Sequence, residues 1–129
     1  MRQETTLDGS GTRLVLVDSI TEIGPADAGA VVVSGSHGGI SAGRYAAEVA
    51  LAAVFFNDAG VGKEMAGIAS LTALDEKGIP GGTVAHNSAR IGEAEDTWAT
   101  GVISHLNASA RALGLATGVS LRRAVKDLF

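Results

Sequence analysis

The chain of 129 residues contains no cysteine, few aromatic residues and no apolar run long enough to span a membrane. The absence of cysteine excludes disulfide bonds, thiolate zinc sites and a cysteine nucleophile. Aromatic residues make up only 4 % of the chain, so the core has to be built from Ala, Val, Ile and Leu. The first residues also lack the apolar stretch of a signal peptide, and we therefore expect a cytoplasmic protein with no membrane partner.

Positive charge is also scarce, because 10 Lys and Arg stand against 14 Asp and Glu and leave a net charge of −4. Proteins that bind nucleic acid normally carry a basic surface, so we expect no nucleic-acid partner. The chain is instead rich in glycine, with 18 residues, and 46 % of it is hydrophobic. This composition indicates a globular protein with many tight turns, and the length predicts a single domain over residues 1–129.

Three apolar segments, each followed by a polar loop and then by a helical pattern, predict the fold. The apolar segments are 30–33, 54–56 and 83–85, and the helical patterns that follow them are 41–53, 63–77 and 96–113. Continuous apolar runs suit strands that are buried on both faces, and repeated strand–helix order favours parallel strands with helical crossovers. We therefore predict an α/β fold, a small three-layer domain with a mostly parallel sheet flanked by helices.

The two ends of the chain complete this prediction. Residues 14–17 form a further apolar run and are predicted as the first strand, and residues 119–128 have the pattern of an amphipathic helix. Residues 1–13 are polar and contain glycine, so we predict a frayed N-terminal segment there.

Polar side chains concentrate in the loops 34–39, 57–62 and 86–90, each of which directly follows a predicted strand. Because the carboxyl ends of parallel strands point the same way, these loops should converge on one crevice, where open α/β sheets bind ligands. The alternative is that they are ordinary polar turns in which glycine supplies positive φ.

His37 and Asp58 are the candidate catalytic residues. His37 lies inside the first glycine-rich loop and could act as a general acid–base or tether the loop. Asp58 could act as a base, a nucleophile or the ligand of a hard cation, or it could simply cap the turn before the next helix. The histidines are isolated in sequence and no phosphate-binding motif is complete, so we expect no bound metal and no cofactor.

The predicted substrate-binding residues surround these two side chains and can all present hydrogen-bond donors to a small substrate. Backbone N–H groups of a glycine-rich turn ahead of a helix favour an anion, and an arginine can clamp a carboxylate or phosphate, although Arg90 could equally be a solvated surface residue. The set is Ser36, Gly38, Gly39, Asn57, Ser88 and Arg90.

Residues 31–38, which end in a His-Gly pair, and residues 54–62, which end in a glycine-rich turn, resemble parts of caspase-like α/β domains of the CHAT type. The resemblance extends over about residues 30–103. It implies an α/β fold, with His37 at the position of the catalytic histidine and Asn57 or Asp58 at the position of the catalytic cysteine. Thiol peptidase chemistry is excluded, because the chain has no cysteine there.

We therefore expect a small enzyme of hydrolase or lyase type that acts on a small polar or anionic metabolite by hydrolysis or acid–base chemistry. The alternative is a non-catalytic ligand-binding or scaffold subunit. In either case we expect a homo-oligomer, because a domain of this size has a limited interior for its many apolar residues. A monomer with its alanine-rich helices packed closely on its own sheet is the other possibility.

Overall fold

Six strands form one sheet in the computed structural model, which describes residues 1–129, and their order in space is their order along the chain. The four central strands are parallel, and the two edge strands are antiparallel to their neighbours. The predicted α/β class and the parallel pairing of the three loop-bearing strands are thereby confirmed. The strands are β1 (Arg2–Thr6), β2 (Arg13–Val17), β3 (Val31–His37), β4 (Ala53–Asn57), β5 (Gly81–Val84) and β6 (Ile103–Leu106).

Helices cover both faces of the sheet and complete three layers. Helices α1 and α2 bury one apolar cluster against it, and α3, α4 and α5 bury another on the opposite face. No helix combines the length and the apolarity that crossing a bilayer would require. The helices are α1 (Ile40–Ala47), α2 (Ser70–Glu76), α3 (Ala94–Thr100), α4 (Ala108–Ala112) and α5 (Leu121–Leu128), and short 3₁₀ turns lie at Ile20–Glu22, Pro25–Asp27 and Lys63–Ile68.

The central strands are apolar on both sides because both of their faces are covered. In β4, Phe55 points to the layer of α3 and α5 and Phe56 to the layer of α1 and α2, and neither is exposed. Successive side chains of a strand alternate between faces, so an uninterrupted apolar run can serve two cores at once.

The N-terminal residues are not frayed as predicted, because residues 2–6 form the edge strand β1 along β2. The strand is exposed and polar, which is why the sequence pattern did not indicate it. A charged cluster attaches it to the protein: Arg2 and Arg13 both bind the buried carboxylate of Asp27, with shortest contacts of 2.7 and 3.0 Å.

The long helix predicted over residues 96–113 is wrong, because this stretch contains α3, β6 and α4. Val102, Leu106 and Ala110 have helical spacing, which misled the prediction, yet Val102 is exposed and Leu106 belongs to a strand. The break occurs at Gly101, where a Cβ would overlap the carbonyl oxygen of Thr97 and crowd the neighbouring strand. The helices predicted over 41–53 and 63–77 are also shorter in the structure, α1 and α2.

We expect the protein to lose stability as the pH falls from about 4 towards 2. The hydrogen bond from Arg2 outweighs the effect of burial and lowers the pKa of Asp27 from 3.8 to about 2. The folded protein therefore holds the ionised form more strongly than the unfolded chain, a contribution of about 2 kcal/mol that is present above pH 4 and lost as Asp27 is protonated. Urea unfolding at pH 7, 4 and 2.5 measures this loss, and Asp27→Asn should make it smaller. An equal loss in Asp27→Asn would contradict the assignment.

Candidate active site

The loops that follow β3, β4 and β5 lie together at the carboxyl ends of these parallel strands and are hydrogen-bonded to one another. The N–H of Gly38 donates to the carbonyl of Asn57, and the N–H of Asp58 donates to the carbonyl of Val84, both at 2.9 Å. The Asn57 side chain donates to the carbonyl of Ala89 at 3.0 Å. The polar loops therefore form one connected surface, as the parallel strand order requires.

Asp58 is the buried carboxylate among these loops, with 4 % of its surface exposed. Its Oδ1 accepts hydrogen bonds from the backbone N–H groups of Gly60 at 2.8 Å and His86 at 3.0 Å. Burial is the largest single influence and raises the pKa of Asp58, but the N–H groups of Gly60 and His86 and the nearby Ser104 and His105 together outweigh it and lower the pKa below its usual value. The site therefore contains a desolvated carboxylate that stays ionised at neutral pH.

An irregularity between β5 and β6 brings His105 beside Asp58, with the hydroxyls of Thr83 and Ser104 around its ring. The pairing of the two strands shifts between Thr83 and Val84, so that Ser104 and His105 together oppose a single step of β5. Strand irregularities of this kind redirect side chains. As a result, the side chains of Ser104 and His105 lie together although the residues are consecutive.

The Nδ1 atom of His105 is surrounded by oxygen atoms. It lies 3.1 Å from Oγ of Ser104, 3.3 Å from Oγ1 of Thr83 and 3.8 Å from Oδ2 of Asp58. The Ser104 hydroxyl donates to the carbonyl of Thr83 at 3.3 Å, so its oxygen can accept from Nδ1–H. This arrangement favours the neutral tautomer with the proton on Nδ1, which leaves Nε2 as the basic nitrogen of His105.

A second histidine contacts the other carboxylate oxygen. Nδ1 of His86 lies 3.5 Å from Oδ1 of Asp58, an ion-pair distance rather than a hydrogen bond. The His86 side chain is 60 % exposed, whereas that of His105 is 37 % exposed. One carboxylate thus faces two imidazoles, of which His105 is the more enclosed.

His105 borders a groove of about 640 Å³. The groove runs between the segment 64–76 on one side and the segment 105–111 on the other, and its volume lies within the usual range for small-molecule sites. Since the Nδ1 side of the ring faces Asp58, the Nε2 side is the one available to a molecule in the groove.

The loop between β4 and α2 has an unusual backbone. Gly60 and Gly62 have φ of 75° and 71°, in the left-handed region that glycine adopts without strain. Four non-glycine residues share this left-handed conformation, which is uncommon for them and strained for a β-branched valine: Ala59, Val61, Glu64 and Met65. Tertiary contacts therefore hold this loop in place beside Asp58 and the groove.

The side chains predicted as site residues in the loop after β3 do not contact Asp58 or His105. His37 is exposed, makes no side-chain hydrogen bond, and has its imidazole against Gly39. The hydroxyl of Ser36 accepts from the N–H of Ile20 at 3.0 Å, so no histidine is paired with it. Gly38 and Gly39 are buried, and a Cβ on Gly38 would lie 2.6 Å from the carbonyl oxygen of Gly67. Gly38 therefore permits close backbone packing.

The other predicted binding residues make structural contacts. Asn57 is fully buried and also accepts from the N–H of Ala59 at 2.8 Å. The Ser88 hydroxyl donates to the carbonyl of Ala85 and accepts from the N–H of Val102. Arg90 is exposed, and its guanidinium lies 3.8 Å from Glu93. Asn57 and Ser88 therefore hold their loops in shape. The Arg90 side chain is the only one of the three that extends into solvent.

No cavity of about 260 Å³ or more among the five best-defined ones is lined by all of the predicted site residues. Ser88 and Arg90 border a shallow pocket of about 270 Å³ together with His86, but neither His37 nor Asp58 borders it. Asp58 is connected to this pocket only through His86, which lies on its rim. Of the two predicted catalytic residues, only Asp58 thus belongs to a cluster of chemically active side chains.

Thr83, Ser104 and His105 were not predicted as site residues. Ser104 and His105 lay inside the helix wrongly predicted over 96–113, where they would have faced different directions. The available signal was Gly101 followed by the β-branched pair at 102–103, which is typical of a helix end and a strand start. Throughout the molecule, no group of three or more His, Cys, Asp or Glu side chains is arranged to hold a metal ion.

Replacing Ser70 by Ala is expected to raise the free energy of unfolding by about 1 kcal/mol. The Ser70 hydroxyl is fully buried and has no hydrogen-bond partner, so the folded state carries an uncompensated desolvation cost. Thr97→Val is the matched control, because the buried Thr97 hydroxyl donates to the carbonyl of Glu93 and its removal should destabilise the protein. Equal losses in urea unfolding of both variants would show that Ser70 is paired in solution.

Comparison with known proteins identifies no relative: no family model matches the chain, and no curated protein or solved structure is significantly similar to it.

Proposed function

We propose that the protein is a small enzyme that performs acid–base chemistry, of hydrolase or lyase type, on a small polar molecule bound in the groove beside His105. One observation carries the proposal: a buried, ionised carboxylate and a serine hydroxyl face Nδ1 of a histidine that borders a groove of about 640 Å³. Paired groups of this kind beside a cavity are typical of general acid–base sites.

In this mechanism Nε2 of His105 takes a proton from a water molecule or from the substrate. The ring then carries protons on both nitrogens, and the resulting positive charge is stabilised by Oδ2 of Asp58, 3.8 Å from Nδ1, and by the Ser104 hydroxyl oxygen, 3.1 Å from Nδ1. In a later step Nε2 returns the proton to the leaving group. Asp58 stays ionised throughout, as in other pairs of an aspartate with a histidine base.

A second candidate function is a ligand-binding or scaffold subunit of a homo-oligomer. Exposed apolar side chains near the last helix favour it, namely Leu113, Val119 and Leu128. Such a subunit would also account for His37, which is exposed and has no partner. In this case the cluster around Asp58 would only stabilise the loops.

The two functions are separated by comparing His105→Ala with His37→Ala. Turnover is sought by incubating the purified protein with small esters, amides, lactones and hydroxy acids and following new products by NMR. We expect His105→Ala to lower kcat by about 10²- to 10⁴-fold, the usual contribution of a general base, and His37→Ala to change it by less than about threefold. The reverse pattern would place catalysis in the loop after β3. Activity that survives both substitutions would contradict the proposed site.

A further inference from the structure

The groove beside His105 carries free charges of both signs. Glu64 and Glu76 lie along one side and Arg111 lies on the other, and all three are exposed. None of the ion pairs in the molecule includes any of them. These three side chains are therefore available to a ligand.

Asp75 also borders the groove but is already engaged. Its Oδ1 accepts from the N–H of Ser109 at 2.9 Å and from the Ser109 hydroxyl at 2.7 Å, and these bonds lower its pKa. It holds the start of α4 against α2. The carboxylates that can face a ligand are thus Glu64 and Glu76.

The remaining lining is apolar and includes one adaptable side chain. Ile68, Leu71 and Leu106 line the groove, and Met65 borders it with 64 % of its surface exposed. Methionine is flexible and fits ligands of varied shape. Met65 and the adjacent Glu64 are held beside the groove by left-handed backbone conformations, with φ of 58° and 56°.

We infer that the groove binds a small zwitterion, a molecule that carries an amine and a carboxylate together with a short apolar part. Arg111 takes the carboxylate, Glu64 and Glu76 take the ammonium group, and the apolar part lies against Met65 and Ile68. A simple anion would face two unpaired carboxylates, and a simple cation would leave the guanidinium without a partner. The inference rests on the proposed function for the reaction at His105, but it can be tested by binding alone.

Three matched probes test this inference: L-leucine, 4-methylpentanoate, which lacks the amine, and 3-methylbutylamine, which lacks the carboxylate. Their dissociation constants for the wild-type protein are measured by NMR titration at neutral pH and low salt. We expect leucine to bind at least about tenfold more tightly than either of the others. Equal binding of all three probes, or tightest binding of 4-methylpentanoate, would overturn the inference.

Charge variants identify the side chains responsible. Arg111→Gln should weaken the binding of leucine about tenfold and leave the binding of 3-methylbutylamine unchanged. The double variant Glu64→Gln/Glu76→Gln should weaken the binding of leucine about tenfold and leave the binding of 4-methylpentanoate unchanged. Arg122→Gln is the control, because this exposed arginine of α5 does not border the groove and its replacement should change nothing. An unchanged affinity for leucine in Arg111→Gln would overturn the assignment of the carboxylate.

His105→Ala separates this inference from the proposed function. Leucine should bind this variant within about threefold of the wild-type protein, because the charged groups that hold it are unchanged. If zwitterions bind selectively but no turnover depends on His105, the proposed function fails and the inference stands. If turnover depends on His105 but the enzyme shows no preference for zwitterions, the inference alone fails.

Discussion

Asp58→Asn is expected to lower turnover by about two to four orders of magnitude while the protein remains folded. The asparagine Oδ1 can still accept from the N–H groups of Gly60 and His86, so the turn keeps its hydrogen bonds. In the proposed mechanism this removes the negative charge that stabilises protonated His105, because an amide N–H₂ replaces Oδ2, which lies 3.8 Å from Nδ1. The loss should therefore appear in kcat rather than in the free energy of unfolding.

Steady-state kinetics and urea unfolding of the same variant check this prediction. Asp96→Asn is the matched control, because Asp96 also caps a loop, by accepting from the N–H of Arg90 at 2.7 Å, but makes no contact with His105. We expect its kcat to stay within about threefold of the wild-type value. If Asp58→Asn kept full activity, Asp58 would be only a turn cap, which is the alternative that the sequence left open.

Gly67→Ala is expected to destabilise the protein by about 3 kcal/mol, more than other glycine replacements in the same loop. A Cβ at this position would overlap the carbonyl oxygen of Asp58, and Gly67 is also the residue that Gly38 approaches. The loops after β3 and β4 would have to separate, which would move Asp58 away from His105. We therefore expect a loss of activity together with the loss of stability.

The control for this prediction is Gly62→Ala. Gly62 has φ of 71° but nothing within 4 Å of its Cβ position, so alanine there costs only the backbone strain, about 1 kcal/mol. Urea unfolding of both variants measures the difference. A similar loss in the two variants would show that the loop after β4 adapts freely and that close backbone packing does not hold the site.

The central sheet could be predicted from local pattern because burial on both faces leaves a simple signal. The runs at 31–33 and 54–56 are continuously apolar, and their shortness and their β-branched and aromatic residues favour strands over helices. The edge strands gave no such signal. β1 is exposed and polar and pairs with β2 through backbone groups, while Arg2 is bound by the distant Asp27.

The position of Asp58 in the candidate site could also be predicted from the pattern of strands. Asp58 follows a buried strand, and the parallel order places its loop beside the other loops at the carboxyl ends of the strands. Its position therefore follows from topology alone. His105 could not be found, since its orientation depends on the shifted pairing of β5 with β6. His37 and Arg90 have suitable chemistry but lack partners near Asp58, and residue type cannot reveal which partners a side chain meets.

The sequence alone determined the class of fold, the parallel order of the three loop-bearing strands and the absence of any thiol chemistry. These properties depend on residue type and on periods of a few residues, which a single chain displays directly. Only the tertiary structure decided that Asp58 lies in one cluster with Ser104 and His105 and that the groove lies beside them. The two halves of this cluster are 46 residues apart in the sequence. Their contact depends on backbone packing and on the shifted pairing of β5 with β6, which the short-period pattern of the sequence does not show.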